Sequence, residues 1–281
     1  MDGARSIWLV NNAASGSNDG KALEELDQCL GSHGFRIAHR TVFPEQDLPT
    51  PAILDAAVIE CLAVFAGDGT VNALIGTLAG WSGAVLVLAG GTMNLLYHRL
   101  HGERSLDEVI AALADGDARR HRPGIIRSRH GDALAGVLAG PGASWGSVRE
   151  AMRDQAALEM AGTAINAIQE TLTGKQIACL EPKVGNDEGY PLINLTPTDV
   201  GIEIDAYAAT TAKDYLDQAW ALAKRDFRQG PHDRLGTPTR VRLASTGGSA
   251  FGLLIDGEQS ECGAEEEFTL VRSEVDLLAT A

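Results

Sequence analysis

Val58-Ile59-Glu60-Cys61-Leu62-Ala63-Val64-Phe65 runs straight into Ala66-Gly67-Asp68-Gly69-Thr70-Val71-Asn72, and this junction decides the fold. An apolar run of strand length reads as a strand buried on both faces, the mark of a parallel sheet. Thr70 to Leu78 then reads as a helix. Two glycines flanking a carboxylate let the backbone approach a ligand closely, with N–H groups free to meet phosphate oxygens. The helix starting near Thr70 adds its positive end to the same spot. A carboxylate facing phosphates repels them unless a divalent cation lies between, so Asp68 points to magnesium. An ordinary Asp-Gly turn between strand and helix accounts for the same residues, and the local pattern does not choose.

A second junction repeats the first. Ala84 to Leu88 is a strand, Ala89-Gly90-Gly91-Thr92-Met93-Asn94 a glycine loop, and a helix follows. Loops at consecutive strand ends face one crevice at the carboxyl edge of a parallel sheet. Working outward, Ser6 to Val10 and Phe35 to Phe43 read as further strands. Leu23, Leu26 and Leu30 mark one helix face, and Ser105 to Ala114 forms another helix. Strands separated by helices give an α/β fold, with a parallel sheet covered on both faces over residues 1–118. After residue 118 the alternation fails. Short segments with β character appear near Ile125, Ala133 to Leu138 and Ile177 to Leu180, and Thr239 to Leu278 reads as strands broken by glycine turns. Ser144 to Met160, Thr163 to Leu172 and the face of Tyr215, Leu216, Ala219, Trp220, Ala223 and Phe227 read as helical. Residues 119–281 are expected to form a second, mixed β-rich domain.

Composition narrows the function. The chain has 281 residues with 38 acidic against 23 basic side chains, a formal net charge of -15. That excludes a general nucleic-acid binder and opposes approach to an anionic membrane. At 44% hydrophobic and 22% charged, the chain can build a core and is not disordered as a whole. Glycine, 32 of the 281 residues, is enriched against the roughly 7% usual in proteins, which suits many turns or close ligand approaches. Cys29, Cys61, Cys179 and Cys262 lie far apart with no metal-ligand spacing between any pair, and the amino terminus is too short in apolar residues for a signal peptide. A cytoplasmic location, with at most weak peripheral membrane contact, is the expectation.

The two glycine loops resemble those of the diacylglycerol kinase catalytic-domain family, lipid kinases that include sphingosine and ceramide kinases. The family signature Gly-Gly-Asp-Gly-Thr is matched by Ala66 to Thr70, with alanine first. Gly-Thr-x-Asn is matched by Gly91-Thr92-Met93-Asn94. Asn-Pro-x-Ser-Gly is matched in part by Asn12-Ala13-Ala14-Ser15-Gly16, and a late Asp-Gly-Glu by Asp256-Gly257-Glu258. The resemblance implies a nucleotide-binding first domain over 1–118, a sandwich-type second domain over 119–281, ATP and Mg²⁺ as cofactors and a nucleotide bound between the domains. Asn12, Ser15, Gly16, Thr41, Gly67, Asp68, Gly69, Thr70, Asn72, Gly91, Thr92 and Asn94 would lie near it, Thr41 by its place near a strand end. Asp68 would serve the metal, and Glu258 would be the general base in a domain covering a lipid pocket. The implied partners are ATP and a small lipid substrate, with no nucleic acid and a homodimer left open. The implied activity is phosphoryl transfer from ATP to a diacylglycerol-like or other lipid alcohol.

Two alternatives stand beside it. NAD kinases share Gly-Gly-Asp-Gly but also carry an Asn-Glu pair, which this sequence lacks. A non-catalytic nucleotide or lipid sensor would keep the fold, and Ala66 is its one support. Asp199-Val200-Gly201 is a weak candidate for the family's accessory magnesium site. The histidines show no paired metal spacing, and His98 and His101 read as solvent-facing. Arg119 to Arg122 reads as a solvated basic face, and Glu265-Glu266-Glu267 as a solvated hairpin end.

Overall fold

A computed structural model describes residues 5–12, 20–140, 176–207 and 232–281. The helices expected in 144–172 and 215–227 lie outside the described residues. The chain divides into two compact units, Met1–Pro123 with Arg272–Ala281, and Gly124–Val271.

The first unit is an α/β layer structure. Its strands are β1 (Arg5–Asn12), β2 (Phe35–Phe43), β3 (Cys61–Ala66), β4 (Ala84–Ala89) and β5 (Arg119–His121), completed by a return strand near the carboxyl terminus (Asp276–Ala279). Between them run α1 (Gly20–Ser32), α2 (Pro51–Ala56), α3 (Asp68–Thr77), α4 (Leu95–His101) and α5 (Leu106–Asp115). The sheet order is β2-β1-β3-β4, then the return strand, then β5. β1 pairs in parallel with both β2 and β3, and β3 with β4. The apolar runs Leu62 to Ala66 and Ala84 to Leu88 are wholly buried, as covering helices on a parallel sheet require. α1 buries Leu26 and Leu30 from its predicted stripe. α5 starts on a capping box in which Ser105 and Glu108 satisfy each other's backbone N–H groups, and it stops at Gly116 in the left-handed region.

The second unit is antiparallel. Its strands are β6 (Gly124–Ser128), β7 (Gly131–Ala133), β8 (Val137–Gly140), β9 (Ile177–Glu181), β10 (Leu192–Pro197), β11 (Ile202–Tyr207), β12 (His232–Gly236), β13 (Arg240–Ser245), β14 (Phe251–Ile255), β15 (Glu258–Cys262) and β16 (Glu265–Arg272), so the return strand of the first unit is β17. They form one sheet in the order β12-β11-β10-β8-β14-β15 and another in the order β7-β6-β16-β13-β9. Ile193, Leu195, Ile204 and Leu253 of the one sheet share an apolar core with Val241, Leu243 and Phe268 of the other. This is the expected sandwich.

The compact units differ from the expected 1–118 and 119–281 in two ways. The break falls after Pro123, and residues 272–281 return to the first unit. The cause is a pairing far apart in sequence: β17 lies parallel to β4 (Leu277 opposite Val85) and antiparallel to β5 (Leu277 opposite His121). Asp276 anchors the arrangement, accepting from Arg120 Nε at 2.9 Å and Arg122 Nε at 2.6 Å. The hydrogen bond from Arg122, then the charge of Arg120, hold its carboxyl below the ordinary carboxylate range. Arg120 and Arg122 remain about half exposed, as a solvated face requires, and pair with the sheet from there.

Other expectations are also corrected. His101 is buried at 1% exposure, because α4 packs against β4 and β17. Its Nε2 faces the Val87 carbonyl at 3.1 Å and its Nδ1 the Thr280 hydroxyl at 3.0 Å. Burial pulls its pKa down to about 4. The triple glutamate is the start of β16, not a hairpin end. Alternation along that strand turns Glu266 inward to 2% exposure, where Arg129 Nε meets it at 2.8 Å and His130 Nε2 at 3.2 Å.

Candidate active site

Three parallel strands bring their carboxyl ends to one edge. The register sets Asn11 of β1 opposite Phe65 of β3, and Ala66 of β3 opposite Ala89 of β4. The chain segments that follow must therefore stand side by side, and the two glycine loops do. A Cβ built on Gly91 would lie 2.5 Å from the Gly67 Cα, so the backbones touch where no side chain fits. The convergence expected from the sequence is present.

The loops are locked by side chains they carry. Asn94, at φ 49° and ψ 43° before α4, accepts the Gly91 N–H on its Oδ1 at 2.7 Å. Its Nδ2 donates to the Gly91 carbonyl at 2.8 Å. Asparagine is among the few residues that tolerate this left-handed backbone. Its amide thus shapes the loop from within, which makes it a positioning residue. Asp68 is the first residue of α3, and its Oδ1 accepts the N–H of Leu96 at 3.2 Å, fastening the first loop to the start of α4. Gly67 caps α3 without a side chain, so the first turn of the helix presents its N–H groups outward. Asn12 Nδ2 donates to the Thr70 hydroxyl at 2.8 Å and ties the end of β1 to the same helix turn. Gly69 and Thr92 are exposed, while Asp68, Asn72 and Gly91 are partly so.

Ala66 is buried at the end of β3, outside the left-handed region that only glycine favours. Alanine therefore fits without backbone strain where the family signature has glycine. Thr41 is 5% exposed near the end of β2, and its hydroxyl accepts the Trp8 indole N–H at 2.9 Å. Ser15 and Gly16 lie outside the described residues. Sequence reasoning passed over Asn11, which is 2% exposed with an amide oxygen that has no partner among the described residues. Its only signal was position, one residue before a motif asparagine.

In the second unit the Asp256-Gly257 turn joins β14 to β15, with φ of 48° and 85° at its two central residues and Ile255 paired to Glu258. This is the two-residue hairpin that Asp-Gly favours. Glu258 opens the edge strand β15 and is exposed. Asp256 is committed to structure. Its carboxylate accepts the N–H groups of Leu134, Ala135 and Gly136 at 2.7, 2.8 and 2.9 Å. Asp199 sits in the tight Thr198–Gly201 turn and accepts the Gly124 N–H at 3.3 Å.

The chain thus carries a parallel sheet with two glycine loops meeting at its carboxyl edge, and an antiparallel sandwich. Residues 6–125 match the model of the diacylglycerol kinase catalytic domain, so the resemblance read from the loops is borne out over that segment. A solved diacylglycerol kinase from Bacillus anthracis str. Sterne superposes with a TM-score of 0.60, over 98% of this chain and 97% of that one, at 14% identity. Another chain from that organism, assigned provisionally as a diacylglycerol kinase, gives a TM-score of 0.59 at 15% identity, over 97% and 96%. At such identity the likeness establishes the fold. No curated protein matches the chain. Among the described residues no helix is long and apolar enough to cross a membrane.

Proposed function

We propose that this protein transfers the γ-phosphoryl group of ATP to the hydroxyl of a lipid alcohol of diacylglycerol type. The observation that carries the reading is the backbone contact between Gly67 and Gly91, with Asp68 fastened across it. Convergent N–H groups and a helix start suit a polyphosphate. A single carboxylate beside them suits Mg²⁺, which is commonly held by one or two carboxylates together with substrate phosphates. The donor set therefore fits the ion. When bound, magnesium neutralises charge on the phosphates.

The chain's own residues do the rest. The loops hold the phosphate oxygens in line, Asn94 keeps the second loop in shape, and Asn12 steadies the first turn of α3. Glu258 accepts the hydroxyl proton as the lipid oxygen bonds to the γ-phosphorus. The bond from that phosphorus to the bridging oxygen breaks, and ADP leaves. The partners in this reading are ATP and a small lipid, without nucleic acid. Net charge keeps membrane contact weak on anionic vesicles.

The test is radiolabelled phosphate transfer from ATP to a lipid-extract panel with NAD included as a competing acceptor. Label in a lipid is expected, and label in NADP would replace the reading by the nicotinamide alternative. Asp68→Asn should remove most transfer yet leave the fold intact, since the amide oxygen can still accept the Leu96 N–H. Glu258→Gln should lower the rate by about 10²–10⁴-fold, the usual worth of a general base, with ATP affinity unchanged. Wild-type rates in both variants would sink the assignment.

A further inference from the structure

On the face where α1 meets α5, away from the glycine loops, three donors of different chemistry converge. Cys29 lies in the last turn of α1, and the His33 N–H still donates to the Cys29 carbonyl at 3.3 Å, so the two side chains sit one helical turn apart. Asp107, the second residue of α5, faces both. Its Oδ1 is 3.0 Å from His33 Nε2 and 3.4 Å from Cys29 Sγ. Sγ, Nε2 and Oδ1 all lie within 4.8 Å of one another, the one grouping of three such donors among the described residues. We propose that Cys29, His33 and Asp107 form a binding site for a zinc-class divalent cation, joining the end of α1 to the start of α5.

The donor set chooses the ion. Sulfur, imidazole nitrogen and carboxylate oxygen are the three ligand types of zinc, whereas magnesium and calcium take oxygen. The site is thus chemically separate from the Asp68 carboxylate and its phosphate partners. Spacing agrees as well. Zinc bonds of about 2.3 Å to sulfur and about 2.0–2.2 Å to nitrogen and oxygen put tetrahedral ligands roughly 3.3–3.6 Å apart. The observed 3.0 and 3.4 Å are hydrogen-bond separations that open by a few tenths of an ångström, while Sγ and Nε2, within 4.8 Å of each other, settle to the same spacing around the ion. The Asp107 side chain is 71% exposed and free to make that adjustment, while Cys29 and His33 are held by their helix. Three protein ligands leave a fourth position for water. The residues pair without metal too, through hydrogen bonds to Asp107, and that simpler role gives no saturable metal binding.

Calorimetric titration of the untagged full chain with Zn²⁺, in buffer with excess Mg²⁺, should show one saturable site. Cobalt in place of zinc should show a thiolate-to-metal charge-transfer band. Cys29→Ser should abolish that band, and Cys61→Ser should not. Asp107→Asn and His33→Gln should each weaken zinc by at least the roughly 10–100-fold that loss of even an outer-sphere partner costs. Zinc should also raise the melting temperature of wild type but not of Cys29→Ser. Absence of the cobalt band, competition by Mg²⁺, or undiminished zinc affinity in Cys29→Ser would overturn the proposal. Cys29→Ala, with its fold checked by circular dichroism, guards against a serine-specific effect.

Discussion

Gly91→Ala tests the contact on which the site depends. The added Cβ would stand 2.5 Å from the Gly67 Cα and 3.2 Å from both the Gly67 nitrogen and Asn94 Oδ1. Carbon atoms settle about 3.5–4.0 Å apart, so the loops must part by about 1 Å. The obstruction is backbone, which cannot swing aside as a side-chain tip would. Overpacking of this kind costs about 1–3 kcal/mol of stability. A misplacement of about 1 Å at a positioning element costs about 10²-fold in rate. Gly67→Ala is the matched control: its Cβ would meet only the Gly91 Cα, at an ordinary 3.7 Å, and its φ of -77° suits any residue. It should lose about 0.5–1 kcal/mol, since glycine is the better residue at a helix N-cap, and keep its transfer rate. Urea unfolding and labelled phosphate transfer, run on both variants, separate the two effects. If Gly91→Ala keeps wild-type rate and stability, or Gly67→Ala is the more damaging, the loops are not apposed as argued.

The other expectations rest on single groups. Asp256→Asn replaces a carboxylate that takes three backbone N–H groups, so stability should fall by about 2–4 kcal/mol in urea while the folded fraction keeps its transfer rate. A large rate loss without destabilisation would make Asp256 catalytic instead. His101 is neutral when folded because its pKa is lowered from 6.5 to about 4, whereas the unfolded chain takes up the proton near 6.5. Its contribution is therefore complete above pH 6.5 and is lost as pH falls toward 4, by up to about 3 kcal/mol. His101→Gln should flatten that part of a stability-against-pH profile, and an unchanged slope would refute the account. Ala66→Gly should lower stability by about 0.5–1 kcal/mol with activity equal to wild type or higher, measured by melting and transfer assays. A marked fall in activity would mean that the buried methyl group itself shapes the loop.

The sequence by itself determined what depends on neighbours along the chain. Apolar runs such as Val58 to Phe65 and Ala84 to Leu88 read as strands covered on both faces, and only the first began too early, at an exposed Val58 outside β3. Two such junctions in succession placed both loops on one edge of a parallel sheet, because parallel strands end on the same side. The Asp-Gly pair at 256–257 announced its hairpin equally locally.

Only the tertiary structure decided which distant groups answer each other. Nothing in the period of Asp276 to Ala279 says that it lies beside β4 in the first unit. Asp256 stands in the same motif as Glu258, yet three N–H groups more than a hundred residues away claim its carboxylate. Glu266 and His101 looked exposed because charge and polarity are read from composition, whereas burial depends on which element covers them. The four-residue step from Cys29 to His33 was legible in the sequence, but Asp107 joins them only where α5 crosses α1. Local pattern carries backbone geometry, because that geometry is set within a few residues. The partners of a buried or converging side chain are set by sheet order and packing, which join residues that the sequence keeps far apart.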